Sequence, residues 1–260
     1  MAALCSCGGS PSSPKANEGS QGKEEIVFAT DSFKYSLRGD HCRSDVAIDY
    51  PINGPQAAVD AIRSYIKSVL FDDTPPAADD PMQWVRDYCA ASVKAQEKSL
   101  EQMGMHSVSK DEQPEEGIEI RKVWQTSRLV TYSIYRYSYF TDGAHGEYSD
   151  YGVTWRLSDG HRLNESILTH VDERLYGYIR EGLKRYFEIE SDAQLQRICT
   201  VDLSLMPMPT FPPYLVENGV RFHYSIYDVC PFEWGDPAFT IPYEDMMPYL
   251  SDEAKELLKQ

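Results

Sequence analysis

The chain has 260 residues, enough for one large or two small domains with cores of their own. Its formal charge of −16 argues against nucleic acid and anionic membrane surfaces, which call for Lys and Arg, and it favours a basic partner, although acidity also serves solubility alone. No run approaches the roughly 18 apolar residues of a transmembrane helix, while 18 tyrosines and four tryptophans point to half-buried sheet surfaces, packed inside or shown as a polar-aromatic face.

At the N-terminus, Leu4-Cys5-Ser6-Cys7 resembles a bacterial lipobox, with a small Ser before the cysteine and Gly8-Gly9-Ser10 after it. The preceding apolar region is reduced to Met1-Ala2-Ala3, so this reading requires a trimmed or late-started signal peptide. On it, Cys7 carries a lipid; the alternative is a chance Cys-x-Cys in a tail. A metal site there lacks a second ligand pair. Residues 8–24 are polar and unable to bury enough surface to offset ordering, so 1–24 is expected to be a signal remnant and flexible tether.

Runs rich in β-branched and aromatic residues at 26–28, 33–37 and 45–50 predict strands, and Pro51 to Pro55 a turn. Ala58, Ile62, Ile66 and Val69 predict an amphipathic helix over 55–71. After the acidic, Pro-rich loop 72–81, a second helix is expected over 82–103, stopped by Gly104. From Ile118 the period changes to two, predicting consecutive antiparallel strands over 118–124, 129–140 and 148–157. Neither alternate set in 129–140 is fully polar, so both faces of this sheet should be partly covered.

After a turn at 158–161, the stripe Val171, Leu175, Tyr178, Ile179, Gly182, Leu183, Tyr186 and Phe187 predicts a helix over 169–187, with Thr169 as its N-cap. A short helix at 191–198 and an extended, Pro-rich stretch at 206–213 follow. Residues 214–224 read as a strand pair turning through Asn218-Gly219, residues 239–241 as a last strand, and 243–250 and 252–259 as short helices. This layout predicts an α+β fold of antiparallel sheets with packed helices in two closely associated subdomains, 25–117 and 118–260.

Catalytic signatures are missing: there is no HExxH, Gly-x-Ser-x-Gly, P-loop or CxxC pair. Asp142, His145, Glu147 and Asp150 cluster around Gly143 and Gly146, a spacing open to a loop metal site or to tight turns with His145 as a backbone cap. Asp228, Glu233 and Asp236 offer carboxylates for glycoside hydrolysis or, more ordinarily, solvated loop residues. Cys42, Cys89, Cys199 and Cys230 could form two disulfides or sit as free thiols in apolar niches; the expected export favours disulfides.

Thr141-Asp142-Gly143-Ala144-His145-Gly146, Tyr227-Asp-Val-Cys230-Pro231-Phe232-Glu-Trp234-Gly235 and Phe239-Thr-Ile-Pro-Tyr243 resemble the C-terminal domain of RsiV-like proteins, a lysozyme-receptor type of ectodomain. That family usually has Tyr-x-Gly-Gly-Ala-His-Gly and Tyr-x-Ile-Ala-Pro-Tyr-Ala-x-Gly, so Asp142 replaces a glycine here. Asp49-Tyr50-Pro51-Ile52 before the 55–71 helix is similar to the smaller N-terminal domain found in RsiV and peptidoglycan deacetylase relatives, whose Asp and His metal motif this sequence lacks.

Together with the lipobox-like start, the acidic charge and the missing catalytic motifs, the resemblance points to a non-enzymatic binding lipoprotein of the periplasm or outer membrane, with neither cofactor nor metal. Its partner would be a basic protein such as lysozyme, or a cell-wall glycan, with the membrane met only through the N-terminal anchor. The expected ligand face comprises His145, Asp142, Pro231, Phe232 and Trp234, although Phe232 and Trp234 read equally well as core. The alternative function is a cell-wall glycan hydrolase using the loop carboxylates.

Overall fold

Strands Ala29–Arg38 (β1) and Arg43–Asn53 (β2) form an antiparallel hairpin in which Phe33, Tyr35 and Leu37 of β1 and Val46, Ile48 and Tyr50 of β2 turn inward. The expected run at 33–37 lies within β1, whereas Val27 and Phe28 of the expected 26–28 strand precede β1 outside any strand, and Ile26 lies outside the described residues. The computed structural model describes residues 27–71, 79–105, 107–109, 112–141 and 145–259. Cys7, the 1–24 tether, Asp142 with Gly143 and Ala144, and most of the acidic 72–81 loop lie outside the described residues.

Helices Gln56–Phe71 (α1) and Pro81–Gln102 (α2) carry the chain back to the end of the hairpin where β2 began. The Asp80 carboxylate caps α2 by accepting from Met82 N at 2.9 Å, and Gly104, at φ +72°, ends it as expected. The following strand, Glu115–Gln125 (β3), therefore runs parallel to β2, with Arg43 opposite Glu115 and Ile48 opposite Ile120. Strands Leu129–Tyr139 (β4) and Glu147–Arg156 (β5) add by antiparallel pairing, giving one mixed sheet in the order β1-β2-β3-β4-β5. The expectation of purely antiparallel sheets is corrected here: a helical crossover joins strands of like direction, whereas short turns join opposite ones. The expected boundary at 117/118 falls inside β3, and both expected subdomains share this sheet.

One face of the sheet, with Ile118, Ile120, Val130, Tyr132, Ile134, Val153 and Trp155, packs on Ile62, Ile66, Trp84 and Val85 of the two helices. The other face of β4 and β5 carries Leu129, Thr131, Gly152 and Thr154, all buried beneath the second half of the chain. That half contains helices Glu173–Tyr186 (α3) and Asp192–Ile198 (α4), then strands Tyr214–Val216 (β6), Gly219–His223 (β7) and Ala238–Pro242 (β8) in an antiparallel sheet of that order. Helices Tyr243–Met246 (α5) and Asp252–Leu258 (α6) close it. Leu175, Ile179, Leu183, Leu215, Val220, Phe222, Phe239 and Ile241 make its core. The fold is α+β, with both faces of β4 used as its alternation implied.

Three local expectations shift. Helix α3 starts at Glu173, capped by Asp172, whose carboxylate accepts from Leu175 N at 2.9 Å. Thr169 is diverted because its N–H donates to Tyr249 O at 2.8 Å, beside a strand-like bridge between Leu168 and Leu250. That bridge also ends the expected 243–250 helix early, at Met246. The β6–β7 turn is Glu217-Asn218, and Gly219 lies within β7 opposite Val216. All four cysteines after the N-terminal pair are buried and in the thiol form in this structure, the second of the two arrangements open to them in sequence. Cys42 Sγ faces Val93 O and Cys89 Sγ faces Tyr35 O, each at 3.7 Å, so these two occupy separate niches.

Gly219 is required by proximity rather than by its backbone angles. A Cβ there would overlap the carbonyl oxygen of Ile241, a backbone atom in β8 that cannot swing aside. Gly219→Ala is expected to lower unfolding free energy by about 2–3 kcal/mol through overpacking. Urea denaturation checks this; an unchanged midpoint would show that β8 shifts freely.

Candidate functional site

The two motif segments singled out in the sequence meet at one end of the molecule. The β4–β5 connection re-enters the described chain at His145, and the β7–β8 connection, residues 224–237, rises beside it. The His145 ring stacks on Phe232, with centroids 3.6 Å apart and planes within 14°. Its Nδ1 lies 3.0 Å from Gly146 O and its Nε2 2.8 Å from the Tyr227 hydroxyl. A carbonyl only accepts, so Nδ1 carries the proton and, in the neutral ring, the Tyr227 hydroxyl donates to Nε2. The backbone-cap reading of His145 is the geometry found, with Phe232 clamping the ring from one side.

The 224–237 segment holds an unusual backbone conformation. Tyr227 sits at φ 69°, a left-handed position costing a non-glycine residue of order 1–3 kcal/mol. Asp228 stabilises it: its carboxylate accepts from Ser225 N at 2.9 Å, Thr210 N at 3.2 Å and Thr210 Oγ1 at 2.8 Å. One of the candidate hydrolytic carboxylates is therefore engaged in organising its own loop. Pro231 leads into a tight turn at Phe232–Trp234, and Gly235 leaves it at φ +76°, where a Cβ would lie 2.9 Å from the Tyr186 hydroxyl oxygen. Glycine at 235 thus serves both backbone angle and close approach.

The result is an aromatic face. Tyr227 is 58% exposed, Trp234 41% and Tyr186 39%, while Phe232 and Pro231 are half-buried. Trp234 stands edge-on to Phe187 at 5.8 Å, and Phe232 meets Tyr148 at 6.1 Å. Glu233 is exposed on the same turn.

Directly beneath lies a polar group that the sequence did not announce. His223, at the end of β7 and 4% exposed, has Nε2 2.9 Å from Asp236 and Nδ1 3.6 Å from Asp150. The two carboxylates approach opposite ring nitrogens, so they do not converge on a point where a metal could bind. Sequence proximity groups Asp150 with His145, but in the fold it faces His223 instead. Burial is the largest influence on Asp150 and raises its proton affinity, with His223 and Arg221 pulling it back. Burial, then Asp236, pushes the Tyr148 phenol up to about 12 and raises Tyr186 as well. Asp150 Oδ1 and His223 Nδ1 are buried without hydrogen-bond partners among the described residues.

Two solved structures share this fold. A member of the DUF3298 family from Bacteroides fragilis aligns with a TM-score of 0.72 and 24% identity over 90% of this chain and 98% of its own. A DUF3298 family protein from Pseudomonas aeruginosa PAO1 aligns at 0.56 and 15% identity, over 88% and 97% respectively. Neither a protein-family model nor a curated protein sequence matches the chain. At these identities the likeness establishes the architecture, and the aromatic face must be read from its own geometry.

Of the expected ligand residues, His145, Pro231, Phe232 and Trp234 come together, and Asp142 lies outside the described residues. Tyr227, Tyr148, Tyr186, Phe187 and His223 were not singled out as site residues. A usable signal existed for His223: with Arg221 it occupies the side of β7 opposite the apolar Val220 and Phe222.

Asp150 sets a pH expectation. A carboxyl with raised folded-state proton affinity favours folding below its unfolded value, about 3.9, and that contribution is lost as pH rises through the folded value. The stability difference, wild type minus Asp150→Asn, should therefore be most favourable to wild type near pH 4 and decline towards neutrality. Melting curves of both proteins across that range check this; a difference that grows with pH would contradict it.

Proposed function

We propose that this chain is a non-catalytic recognition module of the bacterial envelope, with His145, Tyr227, Phe232 and Trp234 as its ligand face. The observation that carries the reading is the conjunction at Tyr227: a strained backbone and a ring left 58% exposed. A core residue would be buried, and an idle loop residue would relax; strain retained on an exposed aromatic is characteristic of a group held for contact. Pro231, Gly235 and the His145–Phe232 stack fix the neighbouring rings in the same sense.

The reading is a lipid-anchored one, with Cys7 as the modified residue and the periplasm or outer membrane as location. It rests on the lipobox-like Leu4-Cys5-Ser6-Cys7 and on the RsiV-like motifs. The partner class is a basic protein of lysozyme type or a peptidoglycan-derived glycan, supported by the −16 charge and by flat rings suited to either. A precursor carrying Cys7→Ala, expressed in its host, should move from the detergent phase to the aqueous phase. Equal membrane partitioning of variant and wild type would defeat the anchor.

Calorimetric titration with lysozyme and with soluble peptidoglycan fragments tests the face itself. Trp234→Ala and Tyr227→Ala should each weaken binding by about tenfold or more. Trp234→Ala should lower stability by only about 1 kcal/mol, the scale of its edge-on contact with Phe187. A loss of about 3–5 kcal/mol, as for a core tryptophan, would make the residue structural. Peptidoglycan turnover that disappears in Glu233→Ala would replace this reading with a hydrolase.

A further inference from the structure

Cys199 and Cys230 are the two cysteines of the second core, 8% and 1% exposed. Cys199 ends α4 in an extended conformation, φ −70° and ψ 138°, and Cys230 opens the turn that carries Phe232 and Trp234. The chain segments beside them are joined: Val229 O accepts from Thr200 N at 2.9 Å and from Thr200 Oγ1 at 3.3 Å. This contact joins the residue after Cys199 to the residue before Cys230, so the two cysteines flank one junction between segments, the kind of neighbourhood in which a disulfide's Cα span of roughly 4.4–6.8 Å is met. Cys42 and Cys89 have no such link, each facing a different carbonyl.

We propose that Cys199 and Cys230 are a disulfide-forming pair that, once oxidised, staples the base of the aromatic turn to the end of α4. The oxidant is a disulfide, protein-borne or of low molecular weight. One cysteine thiolate attacks it and expels a thiolate; the second cysteine then attacks the mixed disulfide and expels the other. The cysteines lose two electrons and two protons, and the oxidant leaves as two thiols. The Cys230 Sγ contact with Gly235 O at 3.7 Å is given up in exchange.

Burial pushes Cys199 up to about 11, and burial with the neighbouring Cys199 thiol pushes Cys230 up to about 11. The attacking thiolate is therefore scarce once the core has closed, and the bond belongs to the folding stage. Closing a loop of about 30 residues restricts the unfolded chain, so the oxidised form melts higher.

The test refolds the full chain, carrying Cys5→Ser and Cys7→Ser, from denaturant in a mixture of oxidised and reduced glutathione. Remaining thiols are alkylated and the protein is digested for mass analysis. The expected result is a peptide linking Cys199 to Cys230, with Cys42 and Cys89 alkylated, and a melting temperature that falls on adding reductant. Adding Cys42→Ala should preserve that reductant sensitivity, and adding Cys230→Ala should abolish it. The map of the chain with both cysteines intact decides even where a variant fails to refold. Recovery of Cys199 and Cys230 as alkylated peptides after refolding would overturn the proposal.

Discussion

The absence of a side chain at Gly152 is the constraint on which the second half of the molecule depends. A Cβ there would overlap the Tyr214 ring, which lies flat on the β5 backbone and brings the second sheet against the first. Two residues on, Leu215 N donates to Thr154 Oγ1 at 3.2 Å, and Thr154 Oγ1 lies 2.9 Å from Thr131 Oγ1. Asn164 closes the contact, donating to Gly152 O at 2.7 Å and accepting from Thr154 N at 3.2 Å. On this one face of β5, Tyr148, Asp150, Gly152 and Thr154 meet Phe232, His223, Tyr214 and Leu215 in turn. The strand works as a ruler with period two, and a slip of one residue would turn every one of these groups to the opposite face.

Features with a local cause could be read from the sequence. The alternation of β4, the apolar stripe of α3 and the Gly104 stop each depend on neighbours a few residues away, and each is found. Parallel pairing of β2 with β3 could not be read, because it follows from where α1 and α2 deliver the chain. Thr169 failed as an N-cap for a comparable reason: Tyr249, far along the chain, takes its backbone. The meeting of His145 with Phe232 was legible as two Gly- and Pro-punctuated connections at strand ends. The group formed by Asp150, His223 and Asp236 was not, since Asp150 appears in sequence as a neighbour of His145 and only the sheet-on-sheet contact reassigns it.

That partly buried group is best understood as a device for position rather than for stability. Burying an imidazole and half-burying two carboxylates beside it is costly, and their attraction offsets the cost only with complete hydrogen bonding. Here Asp150 Oδ1 and His223 Nδ1 are without hydrogen-bond partners among the described residues, so the offset is incomplete. What the arrangement does secure is geometry. His223 closes the neck of the 224–237 segment through Asp236, and through Asp150 it ties that neck to β5.

The aromatic face is consequently braced from three directions. Asp228 and Thr210 hold the strained turn at Tyr227 from the side, and the His145–Phe232 stack holds it from the β4–β5 connection. The His223 group holds it from below. Ordering long side chains and loops at an interface typically costs about 0.5–1.5 kcal/mol per immobilised group. On the proposed reading of this face as a contact surface, rings braced in the free protein would meet most of that cost during folding, leaving more of each contact to appear as affinity. The strain at Tyr227 and the incompletely bonded carboxylate at Asp150 are then two parts of one arrangement: stability given up within the fold at the points that brace the exposed rings.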